Sequence, residues 1–229
     1  MSGVRVERLT KRYRDTLALE GVSLAVPDGD RLAIEGPSGS GKSTLLRLIA
    51  GLDVPDEGKI SLDDRPVSRP GWALEPHKRE VGFVFQSPSL WPHMNVSRNV
   101  MFGLKRWSRV DAEQRVAELL DLMRIRHLAQ RYPDEISGGE AHRVALARTL
   151  APRPRHLLLD EPLASLDPEL KDEMLALILG FARERGGTLL YVTHDHAEAL
   201  AVSSRVLRLE AGRLADRVSD ASPATERSG

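Results

Sequence analysis

The sequence predicts an α/β fold: a parallel sheet core with a helical insertion between its two halves. Three observations point to it. Residues 31–35 (RLAIE) form a short apolar strand that runs into a glycine-rich loop, and residues 44–50 (TLLRLIA) lead out of that loop as a helical run that Gly51 is placed to stop. Strand–helix alternation returns after residue 155, with the apolar strands 156–160 and 188–193 on either side of a long helical run at 168–185. Between these halves, residues 96–150 carry helical periodicity.

In chain order, residues 4–9, 22–26, 31–35 and 59–62 read as strands separated by Pro, Gly and Asp turns. Residues 81–85 (VGFVF) are apolar, β-branched and aromatic, which predicts a buried strand. Helices follow at 96–104, 111–123 and 140–150, with Pro133 and Pro152 as punctuation and Asp111 as the N-cap of the second. Residues 156–160 are a strand, 168–185 a helix, 188–193 a strand and 195–203 a helix. Short strands at 205–209 and 213–218 follow, and the Ser/Ala/Pro/Thr-rich residues 219–229 read as a frayed tail. There is no internal repeat.

A chain of 229 residues with 41% hydrophobic content can bury one good core with a subdomain. Its 33 basic and 33 acidic side chains balance, so no overall charge steers it toward nucleic acid or an anionic membrane. It has no cysteine, which excludes disulfides and zinc–thiolate sites. The N-terminus has no apolar signal core, and the longest apolar stretch, residues 174–182, is far short of the ~20 residues that cross a bilayer. The expectation is a soluble protein whose membrane role, if it has one, runs through a partner.

Gly36, Pro37, Ser38, Gly39, Ser40, Gly41, Lys42 and Ser43 complete the pattern G-x-x-x-x-G-K-[ST], with Thr44 next. Glycines let the backbone curl so that its N–H groups point at phosphate oxygens, and the helix N-terminus adds the positive end of its dipole. Lys42 then reaches the β- and γ-phosphates, and the Ser43 hydroxyl coordinates Mg²⁺. A flexible Gly/Ser linker is the plainer alternative, and the flanking strand and helix argue against it. A second element, residues 156–161 (HLLLDE), is a strand ending in two carboxylates, at the strand edge where open α/β sheets bind ligands. Asp160 is placed to hold Mg²⁺ and Glu161 to polarise an attacking water as general base. On its own it could equally be a solvated acidic turn.

Ile136, Ser137, Gly138, Gly139 and Glu140, continuing as AHRVALAR, resemble the signature segment of ATP-binding-cassette (ABC) ATPases, usually L-S-G-G-Q followed by Q-R-V-A-L-A-R. Ile136, Glu140, Ala141 and His142 depart from that pattern. Ser137 and two glycines open a helix and so offer N–H donors to an anion, though a simple N-capped helix would look alike. The resemblance covers residues 4–218. It implies a P-loop NTPase (RecA-like) core with an antiparallel β subdomain and an inserted α-helical subdomain: one domain over residues 1–218, with core 1–86 and 153–218 and helical subdomain 87–152.

It also implies ATP and Mg²⁺ as cofactors, and a homodimer or paired ATPase subunit in which Ser137 and Gly139 face the γ-phosphate held by the partner's Lys42. Tyr13 matches the aromatic that stacks on adenine, although a strand-end tyrosine half-buried in a sheet reads the same way. Gln86 matches the glutamine that reaches Mg²⁺, with a polar strand-end residue as the alternative. Ser165, Leu166 and Asp167 match the loop that crosses the dimer interface, and Asp167 also reads as an N-cap. His194 matches the histidine that contacts the γ-phosphate. A metal site from His194, Asp195 and His196 is the rival, weakened because Asp195 caps a helix that turns His196 away. Lys42, Glu161 and His194 are thus the expected catalytic residues.

Residues 91–104 (WPHMNVSRNVMFGL) resemble a stretch of bacterial importer ATPases for oxyanions, ferric iron, polyamines and related solutes. That resemblance implies transmembrane permease subunits docking near residues 87–101, a solute-binding protein in the full system, no nucleic-acid partner, and a place at the cytoplasmic face of the membrane. Trp91, Met94 and Val96 could instead pack the helical region. Many of those importers carry a further C-terminal domain, and the short stretch after residue 218 predicts a member without one. The expected function is ATP hydrolysis driving solute import. The competing expectation is a non-transport cassette ATPase with a regulatory or assembly role.

Overall fold

The computed structural model describes residues 3–218. In chain order they form β1 (Gly3–Tyr13), β2 (Thr16–Pro27), β3 (Arg31–Glu35), α1 (Lys42–Ala50), β4 (Glu57–Leu62), β5 (Arg65–Arg69), β6 (Trp72–Ala73) and β7 (Val81–Val84). Then come α2 (Val96–Met101), α3 (Arg109–Leu122), α4 (Gly138–Leu150), β8 (His156–Asp160), α5 (Pro168–Arg185), β9 (Thr188–Val192), α6 (His196–Val202), β10 (Val206–Glu210) and β11 (Arg213–Val218).

Two sheets result. The larger runs β11-β10-β3-β9-β8-β7, parallel from β10 to β7, with β11 joined antiparallel at one edge. The smaller is antiparallel, in the order β2-β1-β4-β5-β6. Strands β8 (HLLLD) and β9 (TLLYV) are buried at every residue, as parallel strands covered on both faces must be. Their side chains alternate between two cores. Leu157, Leu159, Leu189 and Tyr191 join Val96, Val116, Leu119, Val144 and Ile178 of the helices. Leu158, Leu190 and Val192 join Leu32, Ile34 and α1, together with Val4, Val6 and Ile60 of the antiparallel sheet.

Helix α1 therefore lies between the sheets. Leu45, Leu46, Leu48 and Ile49 are fully buried, each contributing about 1.5–3 kcal/mol of apolar burial. Gly51 stops the helix in a left-handed conformation (φ 79°). Just beyond it stands Arg79, which nothing in its local sequence singles out. Its Nε donates to the Leu74 carbonyl (2.7 Å), Nη1 to those of Leu48 (3.2 Å) and Ile49 (2.8 Å), and Nη2 to the Val67 carbonyl (2.9 Å) and Ser68 Oγ (2.8 Å). One guanidinium thus neutralises the negative end of α1 and ties it to β5. Burial pulls its pKa down to about 10, which leaves it charged at neutral pH.

Several expected boundaries move. Strands β1 and β2 are longer than the sequence suggests, because register shifts and Arg8 at φ 46° break the alternation that marks a strand. Strands β5 and β6 were not expected, since Pro66 and the Pro70-Gly71 turn read as loop; β6 is the edge strand and pairs only with Ser68 and Arg69, so Pro66 of β5 is paired on its β4 side alone, where proline is tolerated. Helix α3 begins at Arg109, and its N-cap is Ser108 in place of Asp111. Ser108 Oγ accepts from the Asp111 N–H (3.1 Å) and donates to its carboxylate (2.6 Å). The helix expected to run from 96 to 104 turns 3₁₀ at Phe102–Leu104. The tail expected at 219–229 lies outside the described residues.

Arg79→Ala should destabilise the fold by at least ~3 kcal/mol, because it strands several buried carbonyls at once. Arg124→Ala, which removes only an exposed ion pair with Glu173, should cost no more than about 1 kcal/mol. Urea midpoints of the two variants check this; equal shifts would contradict it.

Candidate functional site

The parallel order brings the C-terminal ends of β3, β8 and β9 to one edge, and the glycine-rich loop rises from β3 there. Two of its glycines are dictated by close approach. A Cβ at Gly36 (φ 151°) would lie 2.1 Å from the Leu209 carbonyl oxygen, and one at Gly41 (φ 106°) 2.4 Å from that of Ala18. Gly41 caps α1 without a side-chain hydrogen bond, so the first-turn N–H groups remain available to an anion. Lys42 is buried, and its Nζ donates back to the carbonyls of Gly36 (2.7 Å) and Pro37 (2.9 Å). Burial lowers its pKa, opposed by the negative charges of Glu161 and Asp160.

Strand β8 delivers Asp160, buried beside the Ser43 hydroxyl. Its pKa is raised, first by burial and then by the charge of Glu161, while Ser43 and Lys42 pull it down. Glu161 turns the chain at φ 48°, a conformation rare outside glycine, with its N–H on the Val192 carbonyl (2.9 Å). This turn swings its side chain toward two partners. Glu161 Oε2 accepts from Gln86 Nε2 at 3.5 Å and faces His194 Nδ1 at 3.1 Å. Three residues far apart in sequence thus meet at one carboxylate oxygen.

The donor set suits a hard divalent cation. Among the described residues no cluster of three His, Cys, Asp or Glu forms a closed metal cage. A hydroxyl and one buried carboxylate, Ser43 and Asp160, are what Mg²⁺ takes when substrate phosphates and water complete its shell. His194 and His196 do not converge: Asp195 caps α6, and His196 Nδ1 turns to Glu35 Oε2 at 2.7 Å. That buried Glu35, the last residue of β3, was not anticipated; its signal was a lone acid ending an apolar strand. A cleft of about 520 Å³ opens here between Glu35, Gly36, Pro37, His194, His196 and Arg208.

Tyr13 ends β1 with its ring 39% exposed. Its hydroxyl donates to Asp53 Oδ2 (2.8 Å), the oxygen that also accepts from Arg47 Nε (2.7 Å). Burial and the Asp53 carboxylate raise its pKa, and Thr44 lies within hydrogen-bonding reach. An aromatic face is thereby held beside the start of α1.

Ser137 caps α4 in a reciprocal box. Its Oγ accepts from the Glu140 N–H (3.3 Å), while the Glu140 carboxylate accepts from the Ser137 N–H (2.7 Å) and Oγ (2.9 Å). Those bonds hold the Glu140 pKa below the usual carboxylate range. Gly139 lies close to Ser165, where an added Cβ would sit 3.2 Å from the carbonyl oxygen. Asp167 caps α5, accepting from the Leu170 N–H (3.0 Å). Among the described residues no hydrogen bond or ion pair joins Ser137, Gly138, Gly139 or Glu140 to the loop at 36–43.

Within 87–101, Trp91 is 42% exposed and stacks at 5.3 Å on Phe102, itself 38% exposed. Val96 is fully buried, so it packs the helical core and offers nothing at the surface.

A family model described as ABC transporter matches residues 19–164. The chain is 44% identical over 216 residues to the spermidine/putrescine import ATP-binding protein PotA of Chromobacterium violaceum, covering 93% of this chain and 59% of that protein. It is also 44% identical over 215 residues to the Fe(3+) ions import ATP-binding protein FbpC of Pseudomonas fluorescens, covering 93% and 60%. The chain thus spans about three-fifths of the length of these curated relatives. Among solved structures it superposes with a TM-score of 0.87, at 30% identity, on the dimeric post-hydrolysis state of the ATP-binding cassette MJ0796 bound to ADP and Pi, covering 96% of this chain and 99% of that one. On cbiO1 of Clostridium perfringens, part of the transporter complex cbiONQ, the score is 0.78 at 32% identity, covering 93% and 86%.

The loop geometry separates its glycines. Gly36→Ala and Gly41→Ala should each destabilise by ~3 kcal/mol or more, since backbone oxygens block the new methyl. Gly39→Ala, left-handed (φ 77°) but facing open space, should cost about 1 kcal/mol. Equal urea midpoints for the three would contradict this.

Proposed function

The chain belongs to the ABC transporter family, and on that premise we propose that it is an ATP-binding and ATP-hydrolysing subunit that dimerises around two ATP molecules and drives solute import through partner membrane subunits. The observation that carries the proposal is the meeting of Gln86 and His194 on Glu161 Oε2, beside buried Lys42 and Asp160.

On this reading the γ-phosphate takes Lys42 Nζ from the carbonyls of Gly36 and Pro37 and accepts the open N–H groups of α1. Ser43, Asp160 and Gln86 would hold Mg²⁺, which would neutralise phosphate charge there. Tyr13 offers its exposed ring to the adenine. Glu161 accepts a proton from water as the water oxygen bonds to the γ-phosphorus; the bond to the bridging oxygen breaks and ADP leaves. His194 orients the γ-phosphate from the other side of Glu161.

Ser137 and Gly139 do not reach their own loop, so they complete the site of a second subunit. ATP favours closure because it is contacted from both sides only in the closed dimer. Closure moves residues 87–152 together, and residues 87–101, with exposed Trp91, pass the motion to a permease. No described helix is long and apolar enough to cross a membrane; on this reading the chain sits against the permease at the cytoplasmic face. The similarity to import ATP-binding proteins supports the direction of transport, and a solute-binding protein in the full system is part of the same proposal.

Glu161→Gln should retain ATP binding, lose turnover by roughly 100-fold or more, and accumulate an ATP-bound dimer. Lys42→Ala should instead lose tight nucleotide binding, because it removes the charge from the phosphate cradle. Nucleotide titration, phosphate release and size-exclusion chromatography read the three properties. Normal turnover by Glu161→Gln would overturn the assignment. Co-purification with a multi-span membrane protein would support transport over a regulatory role.

A further inference from the structure

His142 lies one turn into α4, four residues after Gly138, and is 7% exposed. Its Nδ1 is 2.9 Å from the Gly138 carbonyl oxygen and its Nε2 is 3.0 Å from that of Gln86. Both partners can only accept, so each contact needs a proton on the ring nitrogen that faces it: with its proton on Nε2 the neutral imidazole donates to the Gln86 carbonyl in the loop that follows β7, and the imidazolium donates to both. The same helix reaches that loop again about two turns on. Arg148 Nη1 donates to the Ser89 carbonyl (3.0 Å) and Nη2 to that of Pro88 (3.1 Å), while Thr149 Oγ1 donates to that of Phe83 (3.1 Å). Residues seven apart share a helix face, so His142 and Thr149 lie on one side of α4, and the long Arg148 side chain reaches the same segment from roughly 100° round the helix. Strand β7 ends at Val84, so the carbonyls of Gln86, Pro88 and Ser89 lie beyond its ladder with β8.

We infer that His142 is a positioning residue: it fixes the Gln86 backbone to α4, so that the helix carrying Ser137 and Gly139 also sets where Gln86 meets Glu161. The segment that would complete a second subunit's site and the glutamine of this subunit's own site then move as one body. Coupling between the two sites of a dimer would run through this short tie, with no need of a longer path. The kinetic side of this inference rests on the ATPase reading; the tie itself does not.

Three variants separate the contacts. Asparagine places its amide nitrogen near the position of Nδ1 and can keep only the Gly138 contact. Glutamine places it near Nε2 and can reach the Gln86 carbonyl. Backbone hydrogen exchange over residues 86–91 in nucleotide-free protein, together with kcat and KM for ATP, reads the result. His142→Ala and His142→Asn should accelerate exchange and lower kcat roughly tenfold with KM for ATP unchanged within about twofold, and His142→Gln should restore both. Wild-type exchange and kcat in His142→Asn, or no rescue by His142→Gln, would overturn the tie. The expected exchange pattern without ATP turnover in the parent protein would overturn the ATPase reading and leave the tie supported.

Discussion

A lysine ammonium taken out of water must find acceptors, and Lys42 finds them in the carbonyls of Gly36 and Pro37 with Asp160 and Glu161 beyond. Its burial constrains everything around it. The loop must curl tightly enough to turn two carbonyls inward, which requires Gly36 and Gly41 where the backbones of β10 and β2 press close. Strand β8 must end level with the loop, which the parallel pairing of β8 with β9, and of β9 with β3, enforces. The same burial that lowers the Lys42 pKa raises that of Asp160, so the site holds a cation and an anion that are each incompletely solvated. An anionic ligand with an accompanying divalent cation satisfies both at once.

Much of this could be read from local sequence, because local chemistry decides it. The strand at 31–35, the glycines, the helix stop at Gly51, the fully apolar strands β8 and β9, and the caps Asp167 and Asp195 each declare themselves within a few residues. Features set by distant partners did not. Glu35 meets His196 across 161 positions, His142 meets Gln86 across 56, and the contacts of Arg79 reach back 31 residues to α1. Strands β5 and β6 were hidden for another reason: proline and glycine chemistry says turn, and the pairing of β5 to β4 and of β6 to β5 overrides it. Ser108 displaced Asp111 as a cap because the two bond each other, and either residue type alone predicts an N-terminus.

The proposed composite site follows from where the fold puts the start of α4. Ser137 spends its side chain on the Glu140 box, and among the described residues no hydrogen bond or ion pair links the N-terminus of α4 to the Lys42 loop. Helix α4 is at once the carrier of that N-terminus and the anchor of the Gln86 loop. On the proposed reading, rigid attachment of the two makes a dimer the natural unit of function, since each subunit would contribute a phosphate loop to one site and an α4 terminus to the other.

That composite arrangement is the central claim, and mixing two disabled proteins tests it most directly. A Lys42→Ala subunit has no working loop, and a Ser137→Arg subunit has no working α4 terminus. In their heterodimer both defects fall in one site and the other is intact. Each variant alone should hydrolyse no ATP, and an equal mixture should recover about a quarter of the parent rate, from random pairing with one live site per mixed dimer. A mixture as inactive as its components would contradict the account.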